Sequence, residues 1–372
     1  MKNQEKIFVI GHKNPDTDSI CSAIAYCDIK NRTTQESRYI PKRAGQINEE
    51  TEYVLSRFGV QPPGYLSNIG TQVKDMDIRL SPEANKSMSL KNAWDLMQEN
   101  SIVSLPIREK DGTLEGLITI GDIAKTYMDT TDSYLLSRAR TQYQRIAETI
   151  GGNVIEGNPH GYFIQGKIMV AAANPDKMKE YVEENDMVIM GNREEDHLQA
   201  IEQNVSCIIV GMGIEVTEKV LKLAHEKDII IISSPYDTFT ISRLINQSIP
   251  VKYIMKTDNL VTFNTEDFTD DIQEVMIKHR HRAFPVINKK GKCIGTISRR
   301  NFLDMHRKKV VLVDHNEKDQ AVDNIDKADI MEIIDHHKLG TLQTMQPISF
   351  RNQPVGCTGT IMYQMYGEQK LE

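Results

Sequence analysis

The chain has no long apolar run. Its uninterrupted apolar stretches, such as Ile7-Phe8-Val9-Ile10 and Ile229-Ile230-Ile231-Ile232, are of strand length. A membrane-spanning helix needs about 20 such residues, so no membrane partner is expected. Cysteine is sparse and scattered: Cys21, Cys27, Cys207, Cys293 and Cys357 form no CxxC pair. That spacing indicates neither a disulfide framework nor a zinc knuckle. Positive charge is in deficit, with 45 Lys and Arg against 52 Asp and Glu and a formal net charge of −7. This argues against a nonspecific nucleic-acid binder, which depends on neutralising phosphates. Gly191-Asn192-Arg193-Glu194-Glu195 is not a phosphate loop, because it lacks the lysine and the glycine spacing. The amino terminus carries no signal-peptide pattern, so a cytoplasmic protein is expected. A chain of 372 residues has length for two to four domains with real cores.

What the chain does have is a strand that ends in ligand-type residues. Ile7–Ile10 reads as a buried strand closed by Gly11, followed by His12-Lys13-Asn14-Pro15-Asp16-Thr17-Asp18. A helix is expected to open at Ser19, a good cap residue ahead of Ile20, Ala23 and Ile24. His12, Asp16 and Asp18 then lie on a loop at the carboxyl end of a strand, where open α/β sheets place ligands. One imidazole and two carboxylates suit a hard or borderline divalent metal such as Mn, Mg, Co or Zn. Two further strands end the same way: Val310-Val311-Leu312-Val313 runs into Asp314-His315-Asn316, and Ile330–Ile334 into Asp335-His336-His337. A buried cluster of this kind without a metal or partner charges is costly.

These motifs, GHKNPDTDS, VDHN and DHH in that order, resemble the DHH phosphoesterase superfamily, and within it the family II inorganic pyrophosphatases that depend on manganese or cobalt. The resemblance implies hydrolysis of pyrophosphate to two phosphates with two divalent ions, Mn2+ or Co2+, and Mg2+ accompanying the substrate. His12 and Asp16 would hold one ion, Asp18 and His336 the other, and Asp314 would bridge the two. His337 would face the substrate, so His337 and Asp314 are the expected catalytic residues.

The third strong feature is an internal repeat. Residues 90–123 superpose on 269–302, an offset of 179, which pairs Met97 with Met276, Pro106 with Pro285, Gly116 with Gly295 and Thr119 with Ser298. Each copy reads as an amphipathic helix, a strand with an apolar-Pro-apolar centre, a glycine turn, a second strand and a closing helix. The pair resembles CBS motifs, which dock on each other and bind adenine nucleotides. Thr119 and Asp122, with Ser298 and Asn301 in the second copy, offer hydroxyl, carboxylate and amide groups at helix starts for phosphate and ribose. Arg280, Arg282 and Arg299 add cationic donors suited to phosphates. AMP, ADP or ATP is the expected regulatory ligand.

Between the copies, strand signals at 152–155, 167–173, 187–191, 207–211 and 229–232 alternate with helical segments at 197–204 and 216–227. This stretch resembles the DRTGG domain, with Gly211-Met212-Gly213 at the expected turn, and reads as a spacer and dimerisation unit. The expected fold is therefore α/β: a DHH-type parallel-sheet domain (1–65 and 307–372) split by a CBS pair (66–128 and 249–306) and a small α/β DRTGG-like domain (129–248). Near the carboxyl end, Thr358 and Thr360 are placed to cap a helix or to hydrogen-bond behind the site. The family pattern has one more ligating Asp and a substrate-clamping domain after the DHH motif, which the 372 residues lack. Besides a nucleotide-regulated pyrophosphatase, a catalytically incomplete nucleotide sensor and a DHH-type phosphodiesterase fit the motifs. A homodimer built through the paired modules is expected.

Overall fold

A computed structural model of the chain describes residues 5–34, 37–128, 132–172, 175–303 and 305–371. These divide into two compact units. One comprises residues 1–77, 265–280 and 299–372, and the other residues 78–264 and 281–298.

The first unit is built on strands β1 (Glu5–Ile10), β2 (Ser37–Arg43), β3 (Gly64–Tyr65), β4 (Lys309–Val313), β5 (Asp329–Asp335) and β6 (Ser349–Asn352). Its helices are α1 (Thr17–Thr33), α2 (Glu49–Arg57), α3 (Thr269–Lys278) and α4 (Thr358–Glu368). The strands pair in parallel in the order β6-β5-β4-β1-β2-β3. Strand order therefore reverses between β1 and β4, the point at which doubly wound sheets open a crevice for ligands. The central strands are buried on both faces, which is why they read as unbroken apolar runs. Val9, Val311, Val313 and Ile334 pack against Ala23, Tyr26 and Cys27 of α1 and Ile361, Met362 and Met365 of α4. Ile10, Val310, Leu312 and Ile333 face the other way, onto Ala44, Ile69, Val322 and Ile325.

The helix after β1 starts earlier than expected. Asp16, not Ser19, is its cap: the Asp16 carboxylate accepts the Ser19 N–H at 2.9 Å. Ser19 instead sits one turn in and is buried. Both residue types cap helices well, and the longer reach of Asp wins once Gly11 brings α1 close to the strand end. A Cβ on Gly11 would stand 1.8 Å from Ser19 Oγ.

The second unit holds the first repeat and the segment after it. Helix Leu90–Glu99, the hairpin Ser104–Arg108 and Leu114–Thr119, and helix Ile120–Met128 follow the expected order. Ser89 caps the first of these helices. The intervening segment forms a five-stranded sheet, with Ile168–Val170, Met187–Met190, Cys207–Val210 and Ile230–Ser233 parallel and Asn153–Glu156 antiparallel at one edge. Ala173, expected in the first of these strands, lies outside the described residues. One face of this sheet shares a core with the first repeat: Ile189, Ile209 and Ile232 join Met97, Leu105 and Ile118. The second repeat differs from expectation at its end. Among the described residues its closing element is a single 3-10 turn, Arg299–Phe302. Two arginines in a first turn oppose the helix dipole, and Arg299 turns back to the carbonyls of Met276 and His279 at the end of α3.

Candidate metal centre

Register brings the three motifs level. Ile10 pairs with Leu312 and Val313 with Ile334, so His12, Asp314 and His336 leave the sheet side by side. Asp314 is held in the left-handed region at φ 63°, a conformation Asp tolerates better than most residues. Its N–H donates to the Ile334 carbonyl at 2.9 Å, and its carboxylate is buried. The two carboxylate oxygens face different partners. Oδ2 lies 3.4 Å from His12 Nε2, and Oδ1 lies 3.5 Å from His336 Nε2. His12 Nε2 is also 3.8 Å from Asp16 Oδ1, and His336 Nε2 is 3.9 Å from Asp18 Oδ2. His12, Asp16 and Asp314 offer ligand atoms within 4.8 Å of one another, and so do Asp314, His336 and His337. All five residues expected to hold metal are thus brought together.

Neighbouring groups fix the ring orientations. His336 Nδ1 is 3.0 Å from the Val355 carbonyl, which leaves Nε2 for the cluster. His337 Nδ1 is 2.8 Å from Asp335 Oδ1, and its ring is half exposed. Asp335 itself is fully buried and also accepts the His336 N–H at 2.8 Å and the Asn316 amide. Asn316 in turn accepts the Gly340 N–H and donates to the Lys338 carbonyl at 3.0 Å, fastening the loop after the DHH triplet. Sequence reasoning assigned no role to Asp335 or Asn316. Both stand inside the motifs, but only the fold shows that they orient His337 rather than join the cluster.

The electrostatics suit a cation. Burial pulls the His12 imidazole down, yet the hydrogen bond to Asp314 and the charges of Asp314, Asp16 and Asp18 override it and leave its pKa raised. Burial pushes the Asp314 carboxyl up, reinforced by Asp18 and opposed by His12 and Thr358. Three carboxylates and two imidazoles converge where one carboxylate is removed from water, so the donor set fits divalent ions that take mixed N and O ligands. Behind it, His315 is buried against His12, and burial pushes its pKa down to about 4. A cavity of about 250 Å3 lined by His315, Asn316, Glu317, Gln320, His337 and Lys338 opens beside the cluster.

Comparison with known proteins bears on this geometry. Over 369 residues the chain is 39% identical to the cobalt-dependent inorganic pyrophosphatase of Clostridium perfringens, covering 99% of this chain and 67% of that protein. The chain belongs to the metal-dependent inorganic pyrophosphatases. It is also 33% identical over 366 residues to the probable manganese-dependent inorganic pyrophosphatase of Thermotoga maritima, covering 98% of this chain and 66% of that one. The chain spans about two thirds of the length of these curated relatives. Residues 78–129 and 251–308 match the CBS domain family, and residues 145–248 match the DRTGG domain family. Among solved structures it is similar to the CBS and DRTGG domains of the regulatory region of the C. perfringens pyrophosphatase, complexed with the activator diadenosine tetraphosphate. The identity is 34% and the TM-score 0.59, covering 62% of this chain and all of that one.

Within this family member, the residues expected to bind nucleotide are arranged differently from the metal ligands. Thr119 and Asp122 satisfy each other at the start of helix Ile120–Met128: Asp122 Oδ2 accepts the Thr119 N–H at 2.9 Å and hydroxyl at 2.6 Å. Lys256 lies 3.5 Å from the other Asp122 oxygen. In the second CBS domain Asn301 donates to the Asp77 carbonyl at 2.6 Å, and Arg299 bonds the end of α3. Arg280 and Arg282 are exposed, and Ser298 closes the strand Cys293–Ile297.

Proposed function

We propose that this chain carries the dinuclear metal centre of an inorganic pyrophosphatase and a nucleotide-binding module that regulates it. The observation that carries the reading is Asp314, a buried carboxylate with one oxygen toward His12 and the other toward His336. In this reading His12 and Asp16 hold one divalent ion, Asp18 and His336 hold the second, and Asp314 serves both. Mn2+ and Co2+ match the donor set and the relatives' names, and Mg2+ enters with pyrophosphate. When bound, such ions supply Lewis acidity and neutralise charge developing on phosphoryl oxygens.

The chain's own groups do the rest. Asp314 at the end of β4 and Asp16 and Asp18 at the start of α1 are held by hydrogen bonds, so ligand geometry needs little rearrangement on binding. His337, with Nδ1 occupied by Asp335, has Nε2 available for a phosphoryl oxygen beside the cluster. Residues 1–65 and 307–372 form the catalytic part, 66–128 and 249–306 the CBS pair, and 129–248 the DRTGG domain. Thr119, Asp122, Ser298, Asn301, Arg280, Arg282 and Arg299 take an adenine nucleotide, AMP, ADP, ATP or a dinucleotide. That nucleotide alters turnover only by binding catalytic states unequally. A homodimer is supported by the apolar cleft of about 310 Å3 at Trp94, Ile123 and Tyr127, with Met128 exposed nearby. A reducing cytoplasm accords with five unpaired thiols, and no described helix is long and apolar enough to cross a membrane.

The test is phosphate release from magnesium pyrophosphate by this chain, with Mn2+ or Co2+ supplied, with and without AMP. Metal-dependent release that AMP alters is the expected result. AMP binding without release identifies a nucleotide sensor instead, and cleavage of a dinucleotide phosphodiester identifies a phosphodiesterase.

A further inference from the structure

Both halves of the metal cluster draw on the start of α1, but only one of them is also held by the start of α4. On the His12 side, Asp16 is gripped by the first turn of α1 through the Ser19 N–H. On the His336 side, Asp18 also stands in the first turn of α1, where its Oδ1 accepts the Ser22 hydroxyl at 3.2 Å, and the first turn of α4 adds three donors. Thr358 Oγ1 donates to Asp314 Oδ1 at 2.8 Å, the Thr358 N–H to Asp18 Oδ2 at 2.6 Å, and the Gly359 N–H to Asp18 Oδ1 at 2.7 Å. Asp314 Oδ1 is the oxygen that faces His336, so all three bonds fall on one half. Thr358 is fully buried, and its hydroxyl has no route to solvent.

Each carboxylate oxygen has a second lone pair, so accepting one hydrogen bond leaves it able to ligate. What the bonds remove is rotational freedom. With both oxygens of Asp18 anchored and Oδ1 of Asp314 pinned, neither carboxylate can turn away from the point between them and His336. The close approach depends on Gly359, because a Cβ there would stand 3.2 Å from Asp18 Oδ1.

We propose that Thr358 is a positioning residue for the His336-side metal position, orienting Asp314 through its hydroxyl and Asp18 through its N–H. The proposal rests on the two-ion reading and deepens it: the start of α4 bonds Asp18 and the His336-facing oxygen of Asp314 and not Asp16, so the two positions are separable by mutation.

The experiment is a Co2+ titration of the metal-free 372-residue chain, followed by visible d–d absorption and by calorimetry for stoichiometry. Thr358→Val keeps the volume and the N–H and deletes only the hydroxyl. One of two ions is expected to bind 10- to 100-fold more weakly, the usual cost of losing an outer-sphere partner, while the other stays within about threefold. Thr358→Ser restores the native isotherm. Gly359→Ala, which crowds Asp18, weakens the same ion and carries the test if the valine variant fails to fold. Thermal melting in chelator checks that the variants are folded. Two ions bound by Thr358→Val and Gly359→Ala with native affinity overturn the proposal. So does equal weakening of both ions in Thr358→Val and Thr358→Ser alike, which marks a merely structural role. A native chain that binds fewer than two ions shows instead that the two-ion reading has failed, and the proposal falls with it.

Discussion

The proposed metal cluster and the residues proposed to take nucleotide meet opposite demands with the same kinds of side chain. In the cluster, carboxylates and imidazoles from three strand ends touch one another, and most are shielded from water. Burial raises the Asp314 pKa, helped by the Asp18 charge, and the hydrogen bond to Asp314 with the surrounding carboxylates raises that of His12 against its burial. In the first CBS domain, Thr119 and Asp122 are three residues apart on one helix start and satisfy each other. That pair is complete without a ligand. The cluster holds a buried carboxylate raised by burial, whereas the Thr119–Asp122 pair rests in a local cap with Lys256 beside it.

The sharpest way to break this comparison is Asp314→Asn. It keeps the side-chain shape, tolerates the left-handed backbone and deletes the charge that both halves share. Loss of both ions is expected, with affinity down by more than about 100-fold, because even an outer-sphere partner is worth 10–100-fold. Calorimetric Mn2+ titration reads it directly, and native affinity in the variant removes Asp314 from the centre. Next in size are two matched core truncations. Leu312→Ala, behind the cluster, and Leu105→Ala, behind the first repeat, each remove a fully buried side chain. Each is expected to cost about 3 kcal/mol in denaturant unfolding. Only the first should also weaken Mn2+ binding; an equal effect from the second contradicts the separation of roles.

Asp122→Ala is milder. It removes a helix-start acceptor, costing about 1 kcal/mol, and the acceptor for a ribose hydroxyl. AMP affinity is expected to fall about tenfold, the size of one charged hydrogen bond, with Mn2+ affinity unchanged. Equilibrium AMP binding by calorimetry decides it. The smallest effect is a pH dependence far from either site. The hydrogen bond to Glu156, at 3.0 Å, raises the His225 pKa above its ordinary value. A raised histidine contributes stability that is fully present below its unfolded value of about 6.5 and is lost as pH climbs through the folded value. The urea midpoints of native chain and His225→Gln should therefore differ slightly at pH 5.5 and coincide at pH 8.5. A gap that widens with pH contradicts the sign.

Much of the site was legible because its chemistry is local to strand ends. Four apolar residues followed by Gly11 and His12, or by Asp314, announce both the strand and the loop that follows it. The same holds for the repeat, whose Pro106 and Pro285 sit in apolar triplets that pack. What failed to show was any choice between near-equivalent local options. Asp16 and Ser19 are both good caps, and the approach of α1 to Gly11 decided between them. Among the described residues the second closing element is a 3-10 turn whose Arg299 bonds the carbonyls of Met276 and His279, some 20 residues earlier. Asp335 and Asn316 were visible in their motifs without a role, since whether such a residue ligates or orients depends on where the next loop folds.

The amino-acid sequence by itself determined which strands end in ligand-type residues, how the chain divides into strand-rich segments and that a module repeats. Apolar periodicity and turn residues act over a few neighbours, so they are written in order along the chain. Only the tertiary structure decided that β1 and β4, some 300 residues apart, lie side by side, so that one carboxylate faces two imidazoles. It alone brought the start of α4 onto Asp18 and Asp314. Burial of both sheet faces is written in each strand as an apolar run, but which strand pairs with which depends on chain connection over distances that no single stretch of sequence records.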